Sequence, residues 1–519
     1  MIAALPRRAC GRLLVALLML PLASCARELD VAQPGGDELR LTGPWEVTSL
    51  EPSRTGYMFS RMQVVETLMG ATDSGLPAPA LATAWSVSDD QRTWRFVLRP
   101  GARFHDGAPV DAAQVVTMLR RALALPGVLR FAPIAAIAAD GPGAVTIQLT
   151  RPFAPLTALL AHSSTQILAA SSFDAAGTVT AIVGSGPYRI TSIEQPQALS
   201  VEAFDGWTGP APEIRRARYM AIGRAEARAL VADSARADIV FALDPPSLER
   251  LSTRPHLEVV AVRIPRTTLL NLNVRHPGLD APEARQAISL ALDRAGMARA
   301  LLRDASLAAT QLFPPTLAEW HDPALPPLTT DVPRARALLD GLGWVPGAGG
   351  IRVRDGQRFT LTLQTFPDRP ELPVIAAAVQ EQLRQVGIAV EVLIGNSSEV
   401  PLAHREGTLQ AGLSARNFAL IPDPVGTLIE DYGDAAGDWG PLHWRSEALQ
   451  AALQALQADA DPAARAGRRA QVAAILQAEL PVIPIVWYRQ AVAVNRRVSH
   501  VTLDPLEQSY RLSEMTWTR

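Results

Sequence analysis

Residues 79–123 read PALATAWSVSDDQRTWRFVLRPGARFHDGAPVDAAQVVTMLRRAL, and this stretch decides the architecture. Thr93 to Leu98 alternates, with Trp94, Phe96 and Leu98 on one face and Arg95 and Val97 on the other. A period of two in aromatic and branched residues predicts a strand. Asp89-Asp90 before it and Pro100-Gly101 after it are turn chemistry. A second turn, His105-Asp106-Gly107, leads to Asp111, a good helix N-cap, after which Val115, Met118, Leu119 and Ala122 recur at helical spacing. Strand, turn, turn and amphipathic helix make a rigid scaffold with no reactive side chain in a strained place.

Working outward, the pattern Pro-x-Leu-Ala-x-x-Trp followed by Asp-x-x-Thr-Trp-x-Phe-x-Leu-Arg-x-Gly-x-x-Phe-His-Asp-Gly-x-Pro-Val resembles the signature of the solute-binding proteins of peptide and nickel ABC importers. The resemblance continues through Gly184-Ser185-Gly186-Pro187-Tyr188, where Ser185 stands in place of threonine, and through the helix opened by Pro282. It runs from about Glu38 to the C-terminal strands. It implies an α/β, two-lobed periplasmic-binding-protein fold with a hinge and an additional subdomain inserted in lobe I. Lobe I then comprises 38–60, 184–268 and 481–519, the inserted subdomain 61–183, and lobe II 269–480. It also implies delivery of a small ligand to a membrane permease driven by an ATPase.

At 519 residues the chain exceeds a single core, and 48% hydrophobic with 19% charged residues fits a folded protein. A formal net charge of −2 gives no electrostatic case for nucleic acid. All cationic side chains other than histidine are arginine, since the sequence has no lysine. Arg7, Arg8 and Arg12 precede the apolar run Leu13 to Leu22, which ends in Leu22-Ala23-Ser24-Cys25. A basic region, a short apolar run and small residues form an export signal, here 1–24. Leu-Ala-Ser-Cys resembles a bacterial lipobox, in which Cys25 receives lipid, and 25–37 reads as a polar tether. The only cysteines, Cys10 and Cys25, lie in this leader, so the body has no disulfide. The expected location is periplasmic or cell-envelope, lipid-anchored to a membrane, as a monomer.

Catalytic motifs are not evident. Gly184-Ser185-Gly186 is too short for a nucleophile elbow, and a Walker loop needs a lysine. The eight histidines are scattered, with no pair at metal-ligand spacing; His105 and His443 sit in turns and read as structural. Asp89-Asp90 and Glu430-Asp431 are adjacent carboxylates, which read as solvated turns. No enzyme and no cofactor are expected.

A binding cleft instead needs aromatics and oriented polar groups in loops and at strand ends. Tyr57, Met58, Arg130, Phe131, Arg416, Asn417, Asp423, Trp439 and Trp444 meet that description. Arg416 ends an apolar stretch, and a buried guanidinium needs an anionic partner. A ligand carboxylate and Asp423 are the two candidates.

Peptide binders of the family hold the ligand amine with an aspartate four residues before an acidic-Pro proline; here Asp423-Pro424 is present but that position is Leu420. Nickel-chelate binders resemble this chain at Met58-Phe59, Met62 and Glu66, and carry a histidine where this chain has Ala415, while Arg416 is kept. No protein side chain is therefore expected to ligate metal directly. The implied ligand is a metal chelate of nickel or metallophore type. The alternatives are a di- or oligopeptide, and a chemosensory or chaperone-like binding lipoprotein.

Overall fold

Thr93–Leu98 forms a strand with the predicted bounds, Phe96 and Leu98 buried and Arg95 exposed. This is a feature of a computed structural model that describes residues 36–433, 437–458 and 461–518; the leader, Cys25 and the tether as far as residue 35 lie outside the described residues. The strand lies second in an antiparallel four-stranded sheet, ordered Ala82–Val87, Thr93–Leu98, Ala144–Leu149, Ile134–Ala139. Asp111 caps the following helix, Ala112–Ala124, by accepting from the Gln114 N–H at 2.9 Å.

The signature stretch is fastened to the rest of the chain at several points. Arg99 makes a two-pronged ion pair with Glu66 (2.9 and 2.7 Å), and the Ser185 hydroxyl donates to the same carboxylate at 2.8 Å. The His105 N–H donates to the Gly184 carbonyl at 2.8 Å, and its ring Nε2 lies 3.1 Å from the Gly186 carbonyl. A Cβ on Gly184 would stand 2.1 Å from the Val64 carbonyl oxygen, and one on Gly186 would stand 2.2 Å from that of Gln63. Only glycine lets the two backbones pass so closely.

The main sheet has ten strands among the described residues. Their order is Ala389–Ile394, Thr360–Thr365, Ala411–Asn417, Leu257–Leu272, Val482–Asn495, Ile239–Val240, Glu38–Gly43, Arg216–Ala221, Ala198–Ala203 and Tyr188–Glu194. Two of them are long: Leu257–Leu272 and Val482–Asn495 run antiparallel side by side. Each changes hydrophobic environment along its length. Leu270, Leu272, Ile483, Ile485 and Val486 pack in one core with Phe359, Ile375 and Leu413. Val492 and Val494 pack in another with Leu39, Leu41 and Tyr219. The strands therefore tie two cores together, which is the two-lobed α/β arrangement with its connecting hinge.

The change of environment coincides with a break in register. Ile264 pairs with Tyr488 and Thr267 with Trp487, so Pro265 and Arg266 have no partner on Val482–Asn495, while Arg266 pairs with Asn417 on its other neighbour. Proline has no N–H for a ladder and is tolerated at such a bulge. The bulge turns Arg266 out of the alternation.

The sequence pattern predicts a helix over Tyr57 to Met69, a strand from Thr267 to Val274, one helix from Pro282 and an alanine-rich helical region from Ser446 to Leu480, and the structure differs at each. The helix expected over Tyr57 to Met69 is Pro52–Arg61, because Pro52 occupies the first helical turn, where proline is favoured. The strand expected from Thr267 begins ten residues earlier, at Leu257, and passes through Pro265. The helical region from Ser446 to Leu480 is two helices, Glu447–Ala458 and Pro462–Glu479, the second capped by Asp461. The run from Pro282 also divides, at Leu292-Asp293.

Candidate functional site

The bulged Arg266 points at a second unusual backbone position, Glu507. The turn holding Glu507 is built by Asp504, whose carboxylate accepts from the N–H groups of Leu506, Gln508 and Ser509 at 2.8–2.9 Å. Glu507 takes a left-handed φ of 60°, uncommon for a residue with a side chain and worth an explanation where it occurs. The turn delivers a carboxylate into the junction between the two cores, 5% exposed.

Three guanidiniums converge on it. Arg266 forms an ion pair with the carboxylate, Asn417 donates to the same oxygen at 2.8 Å, and Arg61 Nε donates to the Glu507 carbonyl at 3.0 Å. Arg369 stands beside them and donates to the Tyr488 hydroxyl at 3.3 Å. The Tyr488 ring lies between two of the cations, with Arg266 at 4.9 Å and Arg369 at 5.3 Å from its centroid. Arg61 stacks on Trp45 at 4.5 Å and Tyr57 at 5.0 Å. Aromatic faces stabilise cations that burial has stripped of water.

Burial alone would raise the Glu507 carboxyl, but Arg266, Arg369 and Arg61 outweigh it and hold it down at about 2. For Arg266, burial and the like charge of Arg369 prevail over Glu507 and pull the guanidinium down to about 10. A carboxylate depressed on folding stabilises the protein above its unfolded pKa, and that stability is lost as pH falls toward the folded value. Between pH 4.5 and 2 the wild type should therefore lose about 3 kcal/mol that a Glu507→Gln variant does not. Urea unfolding of both proteins at pH 5 and pH 2.5 measures the difference, and equal losses would contradict the assignment.

Two cavities meet at this carboxylate. One, of about 520 Å³, is lined by Trp45, Leu248, Arg369, Tyr488 and Glu507 among others. The other, of about 620 Å³, is lined by Tyr57, Gln63, His162, Leu420 and Glu507 among others. Both are of the size that holds a small solute.

The residues singled out from the sequence are not brought together. Tyr57 lines the larger cavity, and Asn417 reaches Glu507. Met58 has no exposed surface and belongs to the core, so it is a packing residue rather than a cleft wall. Arg130 is exposed and lies over Phe131 at 4.9 Å. Trp439 packs edge-on against Phe366, and Trp444 donates to Glu479 at 2.9 Å. Asp423 caps the helix Pro424–Tyr432 and pairs with Arg465, so it is not the partner of Arg416.

Arg416 finds its anions inside the protein. Its guanidinium binds Asp431 in two-pronged fashion (2.7 and 2.8 Å) and Glu430 at 2.6 Å. The carboxylates read as a solvated turn sit instead at the end of a helix, with the Asp431 side chain 3% exposed. Burial, with the Glu430 charge adding to it and Arg416 opposing, pushes the Asp431 carboxyl up to about 6.

Arg61, Arg266, Arg369 and Glu507 were not evident from the sequence. Pro265 inside a strand-forming run is a usable signal of a bulge; Glu507 lies in a turn with no period to mark it. Among the described residues, no trio of His, Cys, Asp and Glu is placed to hold a metal ion, and no helix is long and apolar enough to cross a membrane.

The profile of the bacterial extracellular solute-binding proteins, family 5 Middle, matches residues 77–438. The chain is 26% identical over 345 residues to the glutathione-binding protein GsiB of Salmonella paratyphi A, an alignment covering 65% of each chain, just under two thirds of that relative's length. Many solved structures share the fold, among them the two that follow. NikA from Staphylococcus aureus, in complex with Ni(L-His)2, superposes with a TM-score of 0.82 at 19% identity, covering 93% of this chain and all of the other. The oligopeptide-binding protein AppA from Bacillus subtilis, in complex with a nonapeptide, gives 0.82 at 17% identity, covering 93% and 99%.

Proposed function

Because this chain belongs to the bacterial extracellular solute-binding proteins of family 5, we propose that it is the solute-capturing component of an ABC importer. It takes a small ligand between its lobes and delivers it to a permease and ATPase. The observation that carries this reading is the pair of cavities meeting at Glu507, where the long strands change from one core to the other. A ligand seated there touches both lobes and favours the closed form, which is how binding becomes a signal to a permease.

The lobe limits proposed from the sequence are kept, with the crossing placed at the Pro265-Arg266 bulge. Cys25 is proposed as the lipid-bearing residue that tethers the protein at the membrane surface, outside the cytoplasm.

For the ligand, a metal chelate is proposed first. Buried arginines and aromatic rings suit a compact, carboxylate-rich complex that arrives with its metal already ligated. A short peptide is the second reading, favoured by the two cavities, which share Glu507 as a wall. Tyr57, Arg61, Arg266, Arg369 and Tyr488 are the proposed contacts.

Mass spectrometry and metal analysis of solute released from the purified protein test the reading. The expected result is a metal-bearing carboxylate chelate at near-equal stoichiometry. A protein that releases nothing, and gives no heat with chelates or peptides, would overturn it.

A further inference from the structure

The arginine cluster is not balanced by the protein. Three guanidiniums, Arg61, Arg266 and Arg369, face two carboxylates, Glu507 and the buried Glu371. Burial pushes the Glu371 carboxyl up against the pull of Arg369 and Arg266. The Nε and Nη1 atoms of Arg266 are buried without a hydrogen-bond partner. Buried guanidinium donors left unmade are costly, and native proteins rarely keep them without a purpose. The occupant of the cluster is itself unusual. It comes from a turn locked by Asp504, at a left-handed backbone position, and its carboxylate forms a wall of both cavities.

From this geometry we propose that Glu507 is the specificity-determining residue of the cleft: its carboxylate stands where an anionic group of the solute binds, and the solute must displace it. The proposal rests on the reading of the cleft as a solute site. The aromatic faces of Trp45, Tyr57 and Tyr488 hold the guanidiniums in place while the exchange occurs, and the Asn417 amide, which donates to the Glu507 carboxylate, is left to donate to its replacement. No bond is made or broken; one carboxylate replaces another. A neutral or cationic solute gains nothing by entering, because it adds no anion to the cluster and leaves the Arg266–Glu507 pair as it was. A polycarboxylate, or the terminal carboxylate of a peptide, supplies what the cluster lacks. Glu507 thus acts as a tethered competitor that sets the threshold for anionic solutes.

Two variants test this. Glu507→Gln keeps the shape and removes the charge, while Glu507→Ala leaves room for a free carboxylate. Calorimetry with citrate, and with Gly-Gly-Gly as free acid and as C-terminal amide, should show at least ten-fold tighter binding to Glu507→Gln than to wild type for an acid probe, and no gain for the amide. A gain for citrate alone identifies a chelate-type source, and a gain for the tripeptide acid alone identifies a peptide terminus. Sodium acetate, against sodium chloride at equal ionic strength, should raise the Tm of Glu507→Ala by several degrees and leave wild type unchanged. Adding Arg266→Met should abolish that response.

Equal affinities of wild type and Glu507→Gln for every probe, or a Glu507→Ala protein indifferent to acetate, would overturn the proposal. Acetate rescue without solute-induced compaction in scattering would keep the Glu507 assignment and remove the importer reading. Compaction of wild type by the amide as strongly as by the acid would do the reverse.

Discussion

Arg416→Ala should destabilise the protein by about 3–5 kcal/mol, because it strips a buried carboxylate of its counter-charge. Asp431 lies on the inward side of its helix, and Arg416 supplies both of its short ionic contacts. The same guanidinium reaches Glu430, so the substitution also leaves two neighbouring carboxylates facing each other with nothing between them. Urea unfolding at pH 7 measures the loss. Replacing Arg416 and Asp431 together by alanine should recover a good part of it, since the uncompensated charge is then gone. A loss below about 1 kcal/mol in the single variant, with solute affinity abolished, would contradict this account. It would return Arg416 to the ligand-gripping role that its sequence position suggests.

Asp238→Ala should cost a comparable 3–5 kcal/mol for the same physical reason beside the first strand of the main sheet. Asp238 is completely buried, and it holds together segments far apart in sequence. It accepts from the Arg40 N–H at 2.8 Å, pairs with the Arg40 side chain at 2.9 Å, and binds Arg497 through both oxygens at 2.7 and 2.8 Å. Burial would raise its carboxyl, but the hydrogen bonds from Arg497 and Arg40 lower it below the usual aspartate range. The contacts fasten the first strand, Glu38–Gly43, to the segment following Val482–Asn495, the last strand of the main sheet. Thermal unfolding should show the loss, and Asp238→Asn should keep only part of the stability. A midpoint unchanged in Asp238→Ala would show that apolar packing alone sets the strand order here.

How much of this was legible in the sequence depends on whether a residue belonged to a period. Thr93–Leu98 was, because alternation survives wherever one face of a strand is covered. The N-cap at Asp111 was, because the carboxylate and the first apolar helical positions are adjacent in the chain. Asp461-Pro462 carried a helix start that the surrounding alanine and glutamine obscured. The junction was harder. Arg416 reads correctly as a buried guanidinium needing an anion, but sequence distance does not say whether that anion is Asp423, Asp431 or a solute. Arg266 and Glu507 are 241 residues apart and meet only because a bulge and a capped turn face each other. Neither has a periodic neighbourhood, so only the folded chain brings them into one site.

Two lobes that close over a small anionic solute on an arginine floor must change shape when that solute arrives. Small-angle scattering on protein stripped of bound solute, with the released solute added back, tests it most directly. Addition should give a smaller radius of gyration and a higher Tm, saturating at one solute per chain. Identical scattering profiles with and without that solute, and with no heat evolved on mixing, would contradict it.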